Sequence, residues 1–326
     1  MKPAQYPDLK QLITKLEKRH KERQAARALM VASVLLGALV LAAPLYSSDK
    51  KTVAVTPTAP PIVEAPDAFA DVRLYGKSAI VYDLVTGESL YERHSRAQLP
   101  LASLTKLITA YAGATTLTPT AAITITDSAL AAEGDSGLVA GEVFSFTDAA
   151  KLALVGSSND AAEAVAEAAA GASASTRRSL MAGAAEALGL TQTYAVNGTG
   201  LDVNTTLSGG YGSAYDIARL AGALVQKAPE IAHATTRPSV TVRSSAGVLH
   251  TLPNTNHDVT QVPNLLLSKT GFTDLAGGNL AVVYDAGMNH PVAIVVLGST
   301  KEGRFADVSK LMKLTGKHFA GMPATP

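Results

Sequence analysis

The sequence predicts a mixed α/β domain carried by one N-terminal membrane-spanning helix. Three observations lead there: β-rich apolar runs at both ends of the main region, alanine-rich segments of helical period between them, and an uncharged stretch behind a basic N-terminus. Strands at both ends and helices in the middle imply a mostly antiparallel sheet, built from distant segments, with a helical lobe inserted. The chain has 326 residues, enough for a substantial core. Its 28 basic and 27 acidic residues nearly balance, which excludes a global attraction to nucleic acid.

The charge is unevenly placed. Residues 1–27 carry eight basic groups against Asp8, Glu17 and Glu22, and they precede an uncharged run, 28–46. At 1.5 Å per residue that run spans roughly 28 Å, close to a bilayer core. A cleavable signal peptide has a shorter apolar region and an Ala-x-Ala-like site. Here the small pair Ala42-Ala43 is followed by Pro44, so an uncleaved anchor is expected. Its basic flank stays cytoplasmic and the C-terminal bulk lies outside. In the tail, Leu9, Leu12, Ile13 and Leu16 recur at helical spacing among lysines. That suits an amphipathic helix on the inner membrane face, or a solvated helix running straight into the span.

Residues 47–66 hold Pro57, Pro60, Pro61 and Pro66, the composition of an extended spacer. The folded part is predicted over 67–320, leaving 321–326 as a tail. Ser78–Leu84, a Thr86-Gly87 turn and Ser89–Arg93 read as a hairpin, and Asn279–Tyr284 with Pro291–Leu297 as a second. Helices are predicted over 103–117, 147–155, 159–170, 175–188, 214–227 and 303–315. There are no cysteines, which is compatible with export and excludes thiol catalysis. The seven histidines show no ligand spacing, so no metal and no cofactor is expected.

Three short motifs carry candidate chemistry. In Ser103-Leu-Thr-Lys106 the two polar residues share a helix face, so the lysine amine can reach the serine hydroxyl. A serine needs a neighbouring base, and a lysine is a base only when neutral. Reaching neutrality near pH 7 takes about three pKa units, roughly 4 kcal/mol of differential interaction. Burial and a second cation would both contribute. The bland account is a helix start with Ser103 as cap. The pattern is cheap, since it recurs at Ser47–Lys50 and Ser48–Lys51.

In Ser157-Ser-Asn159, Ser157 could relay a proton and Asn159 could hold a substrate amide, while Ser157-x-x-Asp160 also fits a capping box. In Lys269-Thr-Gly271, the lysine could be the second cation and attract a carboxylate, and Gly271 could let a ligand approach the backbone. The bland account is a solvated lysine and a turn. Gly134-Asp-Ser-Gly137 looks like the nucleophile segment of trypsin-like proteases. The only histidine between the spacer and Ser136 is His94, and the surroundings look helical, so a loop turn is the better account.

In order, Ser-x-x-Lys, Ser-x-Asn and Lys-Thr-Gly resemble the penicillin-binding proteins and serine β-lactamases. The flanks Ala102–Thr109, Gly156–Ala162, Lys269–Thr273, Ala276-Gly-Gly278, Asn197–Leu201 and Asn254-Thr-Asn256 look like the low-molecular-weight D-alanyl-D-alanine carboxypeptidases. The resemblance implies a β-lactamase/transpeptidase-like fold and a membrane-anchored enzyme of the cell surface acting on peptidoglycan stem peptides, with β-lactams as inhibitors. It implies Ser103 as nucleophile, Lys106 as base and Ser157 as proton relay to the leaving D-alanine. The amides of Ser103 and Phe272 would form the oxyanion hole. Lys269 and Thr270 would bind the terminal carboxylate beside Gly271, and Asn159 the peptide amide.

Departures sharpen the expectation. Where family members often place a cation near Asn254-Thr-Asn256, this chain has Thr255 and His257. Between Leu190 and Gly212 there is no glutamate to activate a deacylating water as in class A β-lactamases, only Asp202. About fifty residues follow Lys269, too few for the further β-rich domain of many relatives, and the N-terminal span takes the place of their C-terminal anchor. The leading expectation is a DD-carboxypeptidase. A DD-endopeptidase that cuts cross-links is the alternative within the enzymes, and a non-catalytic β-lactam or peptidoglycan sensor the alternative outside them.

Overall fold

The computed structural model describes residues 67–171 and 173–321. The basic tail, the predicted membrane span, the linker and residues 322–326 lie outside the described residues. No helix among the described residues is long and apolar enough to cross a membrane.

Five strands form the central sheet: β1 (Ser78–Asp83), β2 (Ser89–Arg93), β3 (Leu265–Thr273), β4 (Gly277–Asp285) and β5 (Pro291–Ser299). Their order is β3-β4-β5-β1-β2 and every pairing is antiparallel. The sheet therefore joins both ends of the folded region, as predicted. Its inner strands are buried on both faces, and side chains alternate between them. Ile80, Ala281, Val283, Ala293, Val295 and Leu297 face the helical lobe. Their neighbours Val81, Leu280, Val282, Ile294 and Val296 face the opposite layer, which Phe305, Val308 and Leu311 of the C-terminal helix cover.

The lobe contains α1 (Thr105–Thr116), α2 (Phe146–Val155), α3 (Asn159–Ala170), α4 (Ala174–Ala187) and α5 (Ala214–Lys227), and α6 (Gly303–Phe319) closes the chain. Helices α2, α3 and α5 start on a serine, Ser145, Ser158 and Ser213, whose hydroxyl accepts an amide N–H of the first turn. α1 starts without a side-chain cap. It follows a tight turn, Ala102–Leu104, in which Ser103 caps nothing.

Several elements were not predicted: a hairpin of Ser239–Arg243 with Leu249–Pro253, a short helix Pro229–Ala234, and the small pairings of Leu99–Pro100 and Tyr194–Ala195 with Gly210–Gly212. β3 runs on through the Lys-Thr-Gly motif to Thr273, so that motif lies within an edge strand and is not a turn.

Candidate active site

All three motifs converge in one cleft between the lobe and the free edge of β3. Ser103 is half-buried in the turn before α1, and Lys106 follows one turn later. The turn is built with difficulty: Ala102 has φ +48°, a region that costs a non-glycine residue about 1–3 kcal/mol. Its neighbours hold it there. Gly200, at φ +81°, leaves room for the Ala102 carbonyl where any Cβ would collide with it. On the other side a Cβ on Gly271 would stand 2.8 Å from Leu101 O and 3.2 Å from Ser103 N. The missing side chain of Gly271 thus serves the approach of β3 to the nucleophile turn; the sequence reading had assigned it to the approach of a ligand.

Lys106 is 1% exposed. Its Nζ lies 2.9 Å from Ser103 Oγ, 2.7 Å from Asn159 Oδ1 and 3.0 Å from Thr199 O. As an ammonium it donates to all three. As a neutral amine it donates to Asn159 and Thr199 and can accept from Ser103. Burial pulls its pKa down to about 7, against the opposing pull of Glu163 and Asp160. The cost that serine activation requires is therefore met mainly by desolvation.

Lys269 faces Lys106 as the expected second cation, but the lowering of Lys106 comes from burial, and it is Lys269 that is displaced. Lys269, 1% exposed, is pushed well below the usual lysine range by burial, by Lys106 and by Arg304. Its Nζ donates to Ser157 Oγ and to Thr270 O, both at 2.9 Å.

Ser157 itself sits at φ +58°, a second strained residue in the site. The cap of α3 is Ser158, whose Oγ accepts from Ala161 N at 3.1 Å. That corrects the capping-box reading of Ser157 and leaves its hydroxyl free for the cleft. Ser157 is bonded to Lys269, while the acceptors of Lys106 are Ser103, Asn159 and Thr199.

Asn159 gives its Oδ1 to Lys106, and its Nδ2 donates to Glu133 O at 2.5 Å. The amide nitrogen carries two N–H groups, so a substrate carbonyl can accept the second while Glu133 O keeps the first. Thr270 Oγ1 bonds Thr255 Oγ1 at 2.6 Å, and Phe272, 46% exposed, forms part of the rim with Lys301 Nζ 5.6 Å from its ring.

Sequence reasoning missed three contributors. Thr199 enters through its carbonyl, which leaves no mark on residue type. Glu163 reaches the site from α3. Arg304, 6% exposed, donates from Nη1 to Gly271 O at 2.7 Å and supplies a cation behind β3. A signal existed: an arginine in the first turn of a helix opposes the macrodipole.

Asp202 spends both oxygens on β3 and the turn after it, accepting from Thr273 Oγ1 at 3.0 Å and Leu275 N at 3.2 Å. Ser136 of the protease-like segment bonds Asp160 through its amide and hydroxyl, and so anchors a loop.

A poised hydroxyl–amine pair, a second hydroxyl on a buried lysine, and cations behind an open strand edge form an arrangement suited to acyl transfer at a carbonyl near an anionic group. Comparison with known proteins agrees. Residues 63–301 match the family model described as D-alanyl-D-alanine carboxypeptidase. A D-alanyl-D-alanine endopeptidase of Pseudomonas aeruginosa is 32% identical over 276 residues, 82% of this chain and 85% of that protein. The D-alanyl-D-alanine carboxypeptidase DacF of Bacillus subtilis is 28% identical over 79% of this chain and 69% of its own length. Penicillin-binding protein D2 from Listeria monocytogenes, solved in its ampicillin-bound form, superposes with a TM-score of 0.62 at 27% identity, over 75% of this chain and 98% of that one.

Proposed function

This chain belongs to the D-alanyl-D-alanine carboxypeptidase family, and we propose that it is a serine DD-carboxypeptidase of the cell wall. It removes the terminal D-alanine from peptidoglycan stem peptides through an acyl-serine intermediate. The observation that carries this is Lys106: buried, drawn to a pKa of about 7, and 2.9 Å from Ser103 Oγ.

The neutral amine of Lys106 takes the Ser103 proton as Oγ attacks the carbonyl carbon of the penultimate D-alanine. The amides of Ser103 and Phe272 stabilise the oxyanion. Ser157 passes its proton to the leaving nitrogen and takes up the one Lys106 removed from Ser103, which restores the neutral amine to deprotonate the attacking water. Lys269 donates to a lone pair of Ser157 Oγ, which leaves the O–H of that serine available to the leaving nitrogen. Water then hydrolyses the acyl-enzyme. Lys269, Thr270 and Arg304 attract the terminal carboxylate, and the second N–H of Asn159 Nδ2 donates to the peptide carbonyl. β-Lactams acylate the same serine, a reading supported by the ampicillin-bound and cefotaxime-bound forms of the Listeria relative.

The basic residues 1–27 and uncharged residues 28–46 support an uncleaved anchor, with the domain held outside the cytoplasmic membrane. The N-terminal sequence of the mature protein tests this; a start after Pro44 would mean a cleaved signal peptide.

A second reading is favoured by length. This chain spans 85% and 84% of D-alanyl-D-alanine endopeptidases of Pseudomonas aeruginosa and Escherichia coli, against 69% of the carboxypeptidase DacF. One experiment separates the readings: the parent and Ser103→Ala are incubated with a fluorescent penicillin, a pentapeptide stem and a cross-linked dimer. The proposal expects labelling that requires Ser103, and D-alanine released from the pentapeptide. Cleavage confined to the dimer would make the protein an endopeptidase. Labelling without any cleavage would make it a sensor, and labelling that survives Ser103→Ala would overturn the assignment.

A further inference from the structure

Glu163 has no part in the chemistry above, yet its surroundings are those of a working residue. It lies one turn after Asn159 on α3, with its side chain 12% exposed. One carboxylate oxygen accepts from Gly198 N at 2.9 Å, and the other lies 3.7 Å from Arg177 Nε. Gly198 precedes Thr199, whose carbonyl is one of the three acceptors of Lys106. Asn159, another of the three, is on the same helix as Glu163. One carboxylate therefore ties together the two segments that hold the base. The close approach is built in: a Cβ on Gly198 would meet Glu163 Oε1 at 3.3 Å and Ala166 Cβ at 3.1 Å. From α1, Thr109 Oγ1 donates to Gly198 O at 2.8 Å, so this residue is held at both its N–H and its C=O.

We propose that Glu163 is a positioning residue for the acyl-transfer reaction: it clamps the Asn197–Gly198 peptide to α3, fixes the Thr199 carbonyl and Asn159 around the Lys106 amine, and keeps a carboxyl group facing that amine. The inference rests on the functional reading above.

The charged neighbours of this pair are few. Asp160 and Glu167 face it from α3, Arg177 from α4, and Lys269 from β3 faces Lys106. Glu163 and Asp160 act on Lys106 in the same direction, toward the ammonium, against burial. Removing the charge of Glu163 disfavours the ammonium, so Lys106 becomes neutral at lower pH.

The test uses the rate of covalent labelling by a fluorescent penicillin, measured from pH 5 to 9. Glu163→Gln keeps an acceptor for Gly198 N and removes the charge; the acid limb of its profile moves to lower pH by roughly one unit. Glu163→Asp keeps the charge and shortens the reach; its limb stays in place and its rate falls at least tenfold across the range. An unmoved limb in Glu163→Gln, or a parent rate in Glu163→Asp, would overturn the inference. If Glu163→Gln does not fold, the Glu163→Asp profile decides alone. These outcomes are distinct from failure of the functional reading, in which the parent itself shows no Ser103-dependent labelling.

Discussion

Lys269 and Ser157, 112 residues apart in sequence, meet at 2.9 Å, and the contact joins the free edge of the sheet to the helical lobe. Lys269 is buried beside Lys106 and Arg304, and Ser157 is held at positive φ. The two side chains form one unit, a hydroxyl oriented by a lysine. Ser157→Ala and Lys269→Met should each lower turnover of a D-alanyl-D-alanine peptide by at least a hundredfold. The double variant should be little worse than the poorer single one, with an interaction energy of about 0.5–3 kcal/mol. Losses that simply multiply would mean that the two residues act independently.

Ser158, not Ser157, caps α3. Ser158→Ala should therefore lose about 1 kcal/mol of stability, seen in urea denaturation, and still label with penicillin. Ser157→Ala should keep the parent's stability and lose turnover. The reverse pattern would restore the capping role to Ser157.

The pH dependence follows from the lowered pKa of Lys106. Labelling should fall as pH drops below about 7, where the amine protonates. Stability moves in step: between pH 7 and 10 the unfolded chain binds a proton at this lysine that the folded chain does not. Folding is therefore favoured as pH rises through that window, by at most about 1.4 kcal/mol per unit. Relative to Lys106→Met, the parent should gain stability from pH 7 to 9. A constant difference would show that Lys106 is charged in the fold.

Arg304 donates to Gly271 O from a buried position. Arg304→Gln should raise KM for a peptide with a free terminal carboxylate at least tenfold, with a smaller change in kcat. The same substitution should have little effect on a peptide whose terminus is amidated. Equal effects on both peptides would reduce Arg304 to a prop for β3.

A Cβ at Gly271 would press on Leu101 O and Ser103 N. Gly271→Ala should slow labelling by about a hundredfold, because a shift of the order of 1 Å at the reacting atoms costs that much. Its thermal midpoint should change far less. Parent-like labelling would mean that the nucleophile turn tolerates displacement.

Much of this was legible in the sequence, and the reasons are local. The alternation and apolar runs of 78–84, 279–284 and 291–297 announce strands at both ends, and the alanine-rich periods announce α1 to α5. The hairpin of Ser239–Arg243 and Leu249–Pro253 carried a period-2 signal in Ser-Val-Thr-Val-Arg that went unread. The three motifs identify Ser103, Lys106, Ser157, Asn159 and Lys269 by residue type and order. Tertiary structure alone decided how they are used. That Lys106 is desolvated, that Ser158 rather than Ser157 caps α3, and that Arg304 stands behind Gly271 all depend on contacts between segments far apart in the chain. A sequence specifies which groups are present and which local shapes they favour. Proton affinity and hydrogen-bond partnership are set by the water excluded and the charges gathered when distant segments close on one another, and that happens only in the fold.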